Sequence, residues 1–179
     1  MLKTPAGGQT ALAGFEKKLT GKVPDDSDIP GPVRKAVRFM LAGGAATALL
    51  GIFLIIATVV DKNGLTDSSG KKLTNTQFTT NIIGAIVTYV VLVGLWVLMA
   101  RLNREGRNWA RIAASVFCAI STYDVYSLVN ALRSGGTITL LGIVYIALTL
   151  VYWILGVIAI AMVWRSESTA YFKERSAAR

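Results

Sequence analysis

Four apolar stretches, residues 39–60, 82–100, 109–132 and 138–164, occupy more than half of the chain and constrain everything else about it. Each is long enough to cross a hydrocarbon core roughly 30 Å thick, which takes about 20 helical residues. Open strands are excluded, because lipid cannot satisfy their unpaired backbone groups, and no stretch shows the alternation of a closed barrel. The sequence therefore predicts an all-α fold, a membrane bundle of four transmembrane helices.

With 179 residues, 53% of them hydrophobic, the chain has room for one such bundle and short tails. The organisation read from the sequence is a disordered tail over 1–33, a transmembrane domain over 34–164 and a second tail over 165–179. The first tail holds all 4 prolines and charges of both signs, a mixture that cannot bury enough apolar surface to order itself. It lacks the small-residue cleavage site of a secretory signal. The chain has no histidine, which removes the commonest ligand for haem, zinc and copper, so neither a cofactor nor a metal is expected. Its single cysteine, Cys118, falls in mid-span and reads as a small packing residue.

The formal charge of +9 follows the spans rather than any nucleic-acid pattern. Of the 19 Lys and Arg, those flanking the stretches on one side greatly outnumber Lys62, Lys71, Lys72 and Arg133 on the other. By the positive-inside rule both termini are expected in the cytoplasm, with the chain crossing the plasma membrane. Arg34, Lys35 and Arg38 precede the first span, and Arg101, Arg104, Arg107 and Arg111 surround Trp109 between the second and third. These groups suit anionic lipid head groups, with a partner-docking surface as the sharper alternative. Tail residues Ser166, Ser168, Thr169, Tyr171 and Phe172 lie on the same side and read either as a peptide motif or as a solvated helix end.

Pro32 suits the first turn of a helix, so a short basic lead-in is expected to run into the first span. The polar segment 61–80 reads as the sizeable external loop, with Thr80 or Asn81 capping the second span. RSGGT is so short that the third and fourth spans must be antiparallel neighbours. In the first span Gly43, Thr47 and Gly51 recur every four residues and make a small-residue face, usable within one bundle or between copies.

Asp124 is the single acidic residue within the spans. An ionised carboxylate at the bilayer centre costs on the order of 2.5–3.5 kcal/mol, so it needs a partner or a proton. It lies eight residues, roughly 12 Å, from the outer end of its helix. Ser121 and Ser127 flank it on one face, and Tyr145, Thr149 and Tyr152 share a face of the fourth span at similar depth. The cluster is open to two readings. The hydroxyls can satisfy the carboxylate and lock two helices together, or the group can form a proton or polar-substrate site facing a cavity. Arg133 can also snorkel towards Asp124.

Three stretches carry a family resemblance: PVRKAVRFMLAGGA before and into the first span, LWVLMARLNREGRNWARIAASV joining the second and third, and WRSESTAYFK after the fourth. Together they resemble an uncharacterised family of small four-helix membrane proteins of actinobacteria, over residues 32–174 in outline. The resemblance implies a basic helix start, a Gly-x-x-Trp-Ala-Arg opening of the third helix and a Ser-x-x-Tyr-Phe element after the fourth. It implies no activity. The lysine-rich external loop and the acidic residue in the third span depart from the family pattern.

The chain carries no HExxH, GxSxG, Walker loop or pair of intramembrane aspartates. The leading reading is therefore a non-enzymatic membrane protein, an accessory or scaffolding subunit with a membrane-protein partner or a small homo-oligomer. The alternative is a small transporter or channel-like protein that uses Asp124 as its proton or cation site. Orientation is checked by cysteine labelling in whole cells: an impermeant reagent is expected to reach Ser69→Cys and miss Ser176→Cys, and the opposite pattern inverts the topology.

Overall fold

The computed structural model describes residues 29–62, 64–65, 70–133 and 139–177. Their long segments form five helices, α1 (Gly31–Val60), α2 (Asn75–Arg104), α3 (Asn108–Arg133), α4 (Leu140–Val163) and α5 (Ser166–Ala177). The first four are long and apolar enough to cross a membrane. The glycines expected to turn the chain between α3 and α4, Gly135 and Gly136, lie outside the described residues, as does the tail up to residue 28.

Local chemistry sets the helix ends. Pro32 occupies the first turn of α1, where a missing N–H costs nothing. The helix starts earlier than the basic lead-in implied, and Ile29, Pro32 and Val33 are already buried, so the last residues of the supposed tail belong to the packed domain. The second span also begins earlier than Thr80 or Asn81. Thr74 caps α2 in a reciprocal box, its Oγ1 accepting from Gln77 N at 3.3 Å while Thr74 N donates to Gln77 Oε1 at 2.9 Å. The polar stretch 75–80 thereby becomes helix, and the external loop shortens. Thr139 Oγ1 caps α4 by accepting from Gly142 N at 3.2 Å.

Between α2 and α3 the chain reverses at Gly106, whose φ of +73° is the left-handed conformation glycine adopts without penalty. Arg107 N donates to Leu102 O and Gly106 N to Asn103 O, which satisfies two carbonyls at the end of α2. A Cβ at this glycine would also lie 3.0 Å from the side chains of Tyr171 and Arg175, because α5 packs beneath the turn.

α1 lies along α2 and α4, while α3 touches α4 and, more sparsely, α2. The face of Gly43, Thr47 and Gly51 is buried inside the bundle. A Cβ added at Gly43 would lie 2.8 Å from Trp96 Cη2, one at Gly156 of α4 would lie 3.2 Å from the same atom, and one at Gly51 would lie 2.5 Å from Tyr89 Cγ. Trp96, 6% exposed, thus sits on glycines from two helices, and Phe117 of α3 meets it edge-on with ring centroids 5.7 Å apart. All four long helices converge on one indole.

Packing is uneven along the bundle axis. The buried residues of α2 start at Trp96 and those of α3 stop at Ala114, both near the α2–α3 turn. The hydrophobic core therefore occupies the end that carries the start of α1, that turn and α5. This basic end is closed by α5: Phe172 is fully buried, Ser168 Oγ donates to Met162 O at 2.8 Å and Tyr171 OH donates to Arg104 O at 2.8 Å. The segment 165–179 is accordingly a docked helix over Ser166–Ala177 rather than a solvated tail.

Bulk on the glycine face has nowhere to go inside this monomer. Gly43→Ile and Gly51→Ile are each expected to cost at least about 1–3 kcal/mol, the usual penalty of overpacking. The check is thermal unfolding in detergent together with mass determination. Unchanged melting with a fall in mass would place that face between copies instead.

Candidate functional site

Away from the core the helices leave a cleft of about 540 Å³, open at the surface and lined by all four of them. α3 supplies a continuous stripe at helical spacing, Phe117, Ile120, Ser121, Asp124, Ser127, Leu128 and Ala131. α4 faces it with Tyr145, Thr149 and Tyr152, α2 with Tyr89, Leu92 and Trp96, and α1 with Thr47 and Leu50. The six polar residues singled out from spacing, Ser121, Asp124, Ser127, Tyr145, Thr149 and Tyr152, all line this one cleft.

The antiparallel pairing of α3 and α4 brings them to a common depth. Trp153 Nε1 donates to Thr122 Oγ1 at 3.0 Å and Trp164 Nε1 to Ser115 Oγ at 2.9 Å, so residue numbers rise on one helix as they fall on the other. Asp124 lies within electrostatic reach of Tyr89 and Tyr152, and Tyr145 within reach of both tyrosines.

The hydroxyls do not consume the carboxylate. Ser121 Oγ donates to Cys118 O of its own helix at 2.8 Å, and Thr47 Oγ1 to Gly43 O at 2.9 Å. Asp124 itself is exposed to the cleft, and among the described residues no basic side chain forms an ion pair with it. Arg133 is exposed in the last turn of α3 and is not that partner. Thr149 adds a second unsatisfied group: the residue is 2% exposed, and its buried Oγ1 has no hydrogen-bond partner among the described residues. A buried, unpaired hydroxyl costs roughly 1–3 kcal/mol in proteins. An arrangement evolved to lock α3 onto α4 would spend these groups on one another, whereas here the carboxylate faces the cleft without an ion-pair partner and the Thr149 hydroxyl lies buried in its wall unpaired.

Eight lining residues escaped the sequence reading: Leu50, Tyr89, Leu92, Trp96, Phe117, Ile120, Leu128 and Ala131. Of these, Tyr89, Leu92 and Trp96 share one face of α2 at a three-then-four spacing, the reverse of the four-then-three spacing that exposed the α4 set. Their signal was present but overshadowed, because aromatic residues in an apolar span read first as packing.

The basic element separates into two parts. Arg34, Lys35, Arg38 and Arg101 are exposed, and Trp109 is 52% exposed, as interfacial groups would be. Glu105 accepts from Arg101 Nε at 3.3 Å and from Arg107 Nε at 2.9 Å, which offsets part of the positive charge of the turn. Arg104 is half-buried beside Tyr171. Arg111 corrects the expectation outright. It is 7% exposed, its guanidinium lying 4.5 Å from the Trp164 ring centroid and 4.8 Å from that of Phe172, and it donates to Thr169 Oγ1 at 3.1 Å. Held between two rings, it ties α5 to α3 and α4 and is withdrawn from head groups; each such stack is worth about 0.5–2 kcal/mol.

Comparison with known proteins finds no matching family model, no matching curated protein and no matching solved structure.

Thr149→Val replaces the unpaired hydroxyl with a methyl group of nearly the same size. It is expected to leave the melting temperature unchanged or raise it, by up to the equivalent of about 1 kcal/mol. A loss of about 1–3 kcal/mol in the same measurement would show that Oγ1 has a structural partner in the folded protein.

Proposed function

We propose that this protein is a small, non-catalytic transporter or channel-like membrane protein in which Asp124 is the intramembrane proton or cation site. The supporting observation is the position of that carboxylate, which faces an open cleft at the meeting of four apolar helices without a basic partner. Ionisable groups in spanning segments are expensive and face cavities or partners, so an unpaired one lining a cavity marks a ligand path. In this reading both termini lie in the cytoplasm of a plasma-membrane protein, following the excess of Lys and Arg at the basic end. The closed core there and the cleft at the other end correspond to a site approached from outside.

A second reading, an accessory or scaffolding subunit or a homo-oligomer, is favoured by the looseness of α3. Its buried residues are Ala110, Arg111 and Ala114, so beyond its first turns the helix has room for a helix from another chain. The two readings differ in what fills the cleft, water and a cation or a partner's side chains. Gentle extraction and mass determination separate them.

In proteoliposomes Asp124→Asn is expected to abolish proton or cation flux while expression and melting temperature stay at the wild-type level, because the amide keeps the shape but cannot carry the charge. Flux that survives the substitution removes Asp124 from the path. A stoichiometric co-purifying membrane protein together with absent flux would establish the accessory reading instead.

A further inference from the structure

The lining of the cleft is richer in aromatic rings than a metal-ion or proton site requires. Tyr89, Tyr145 and Tyr152 surround the depth of Asp124, and Trp96 and Phe117 lie towards the core. We propose that the cleft binds lipophilic organic cations, substituted ammonium or phosphonium ions with apolar arms. This rests on the reading of the cleft as a cation site and adds the class of cation.

Size is the first argument. About 540 Å³ is within the range of roughly 300–1,000 Å³ typical of drug-sized ligands and is far more than an ion stripped of water would fill. Donor supply is the second. A bare metal ion of the hard, divalent kind needs several oxygens converging at about 2.0–2.6 Å, commonly with more than one carboxylate among them, whereas the lining contains a single carboxylate, Asp124, and otherwise only neutral hydroxyls. The one carboxylate stands among the rings of Tyr89, Tyr145 and Tyr152, and that pairing of charge with π-systems recognises a large, weakly hydrated cation.

Access is the third. Ile120 lines the cleft and is also 59% exposed, so the rim merges with the apolar outer surface of the bundle. A cation dissolved in the bilayer reaches the site without crossing water. The unpaired negative charge also discriminates: an acyl chain would cover Asp124 without compensating it, and a lipophilic anion would be repelled.

The test is equilibrium binding of radiolabelled tetraphenylphosphonium to the full chain in nanodiscs of neutral lipid, corrected for empty nanodiscs, beside tetraphenylborate, which has the same shape and the opposite charge. Saturable binding of the phosphonium and none of the borate is expected. Asp124→Asn is expected to weaken it by about tenfold or more, the loss of one charge-assisted contact. Tyr152→Leu is expected to weaken it several-fold, whereas Tyr152→Phe, which keeps the ring, binds as wild type and so controls for folding. Equal binding of both probes, phosphonium binding unaffected by Asp124→Asn, or no saturable binding would each overturn the proposal. Asp124-dependent proton or alkali-cation flux without phosphonium binding would overturn the substrate class while leaving the cation site in place. Failure of both assays overturns the two together.

Discussion

The seat of Trp96 on glycine is the constraint from which the rest of the architecture follows. An indole can lie at the centre of four membrane helices only where the neighbouring backbones give it room, and Gly43 and Gly44 on α1 with Gly156 on α4 provide that room. Lipid offers little hydrophobic drive to helix association, so close packing must supply it, and small residues facing a large ring are an effective source. The same ring fixes the depth at which the core ends. Below it, Ala100, Ala114, Ala159 and Val163 share one buried cluster with Tyr171 and Phe172 of α5. Above it, side chains on the facing helices turn polar and the helices part.

That division gives the two ends different physical roles. At the basic end Arg111 is held between Trp164 and Phe172, Tyr171 reaches the carbonyl of Arg104, and Gly106 allows α5 to approach the turn. These contacts hold α5 to the bundle and leave an outer rim of Arg34, Lys35, Arg38 and Trp109 suited to a membrane interface. At the other end α3 diverges, and Asp124 and Thr149 are left without partners in a space large enough for a ligand. In a medium where unpaired polar groups are costly, such a cleft is a place where stability has been given up, and binding sites are commonly found in such places.

How much of this was legible in the sequence follows from the physics of each feature. Four spans were plain, because their lengths match a hydrocarbon thickness and no other structure tolerates such runs. The polar set on α3 and α4 was also readable, since a helix places residues three and four apart on one face and a short connection forces the two helices to be antiparallel. The partnership of the Gly43 face was not, because a small-residue ridge looks the same whether it meets Trp96 of its own chain or another copy. Nor was the fate of Arg111: spacing makes it one of four interfacial arginines, and only the docking of α5 puts Phe172 against it. The start of α2 was missed for a related reason. Thr74 with Gln77 is a capping box, but the polar residues after it read as loop until the helix is seen to project beyond the apolar core.

A cation site at Asp124 requires the cleft to hold water at a depth where the outer surface of the bundle faces lipid. Thiol-directed reagents that need an ionised thiol test this directly, since a cysteine in lipid stays protonated and unreactive. In a Cys118→Ala background, Ser127→Cys lies in the cleft and Val129→Cys lies on the exposed outer surface of the same helix, one turn or less away. With a small cationic methanethiosulfonate applied to intact membranes, rapid modification is expected at position 127 and little at position 129. Equal protection of both would mean that the cleft is filled by lipid or by a partner, and would contradict a hydrated cation site at Asp124.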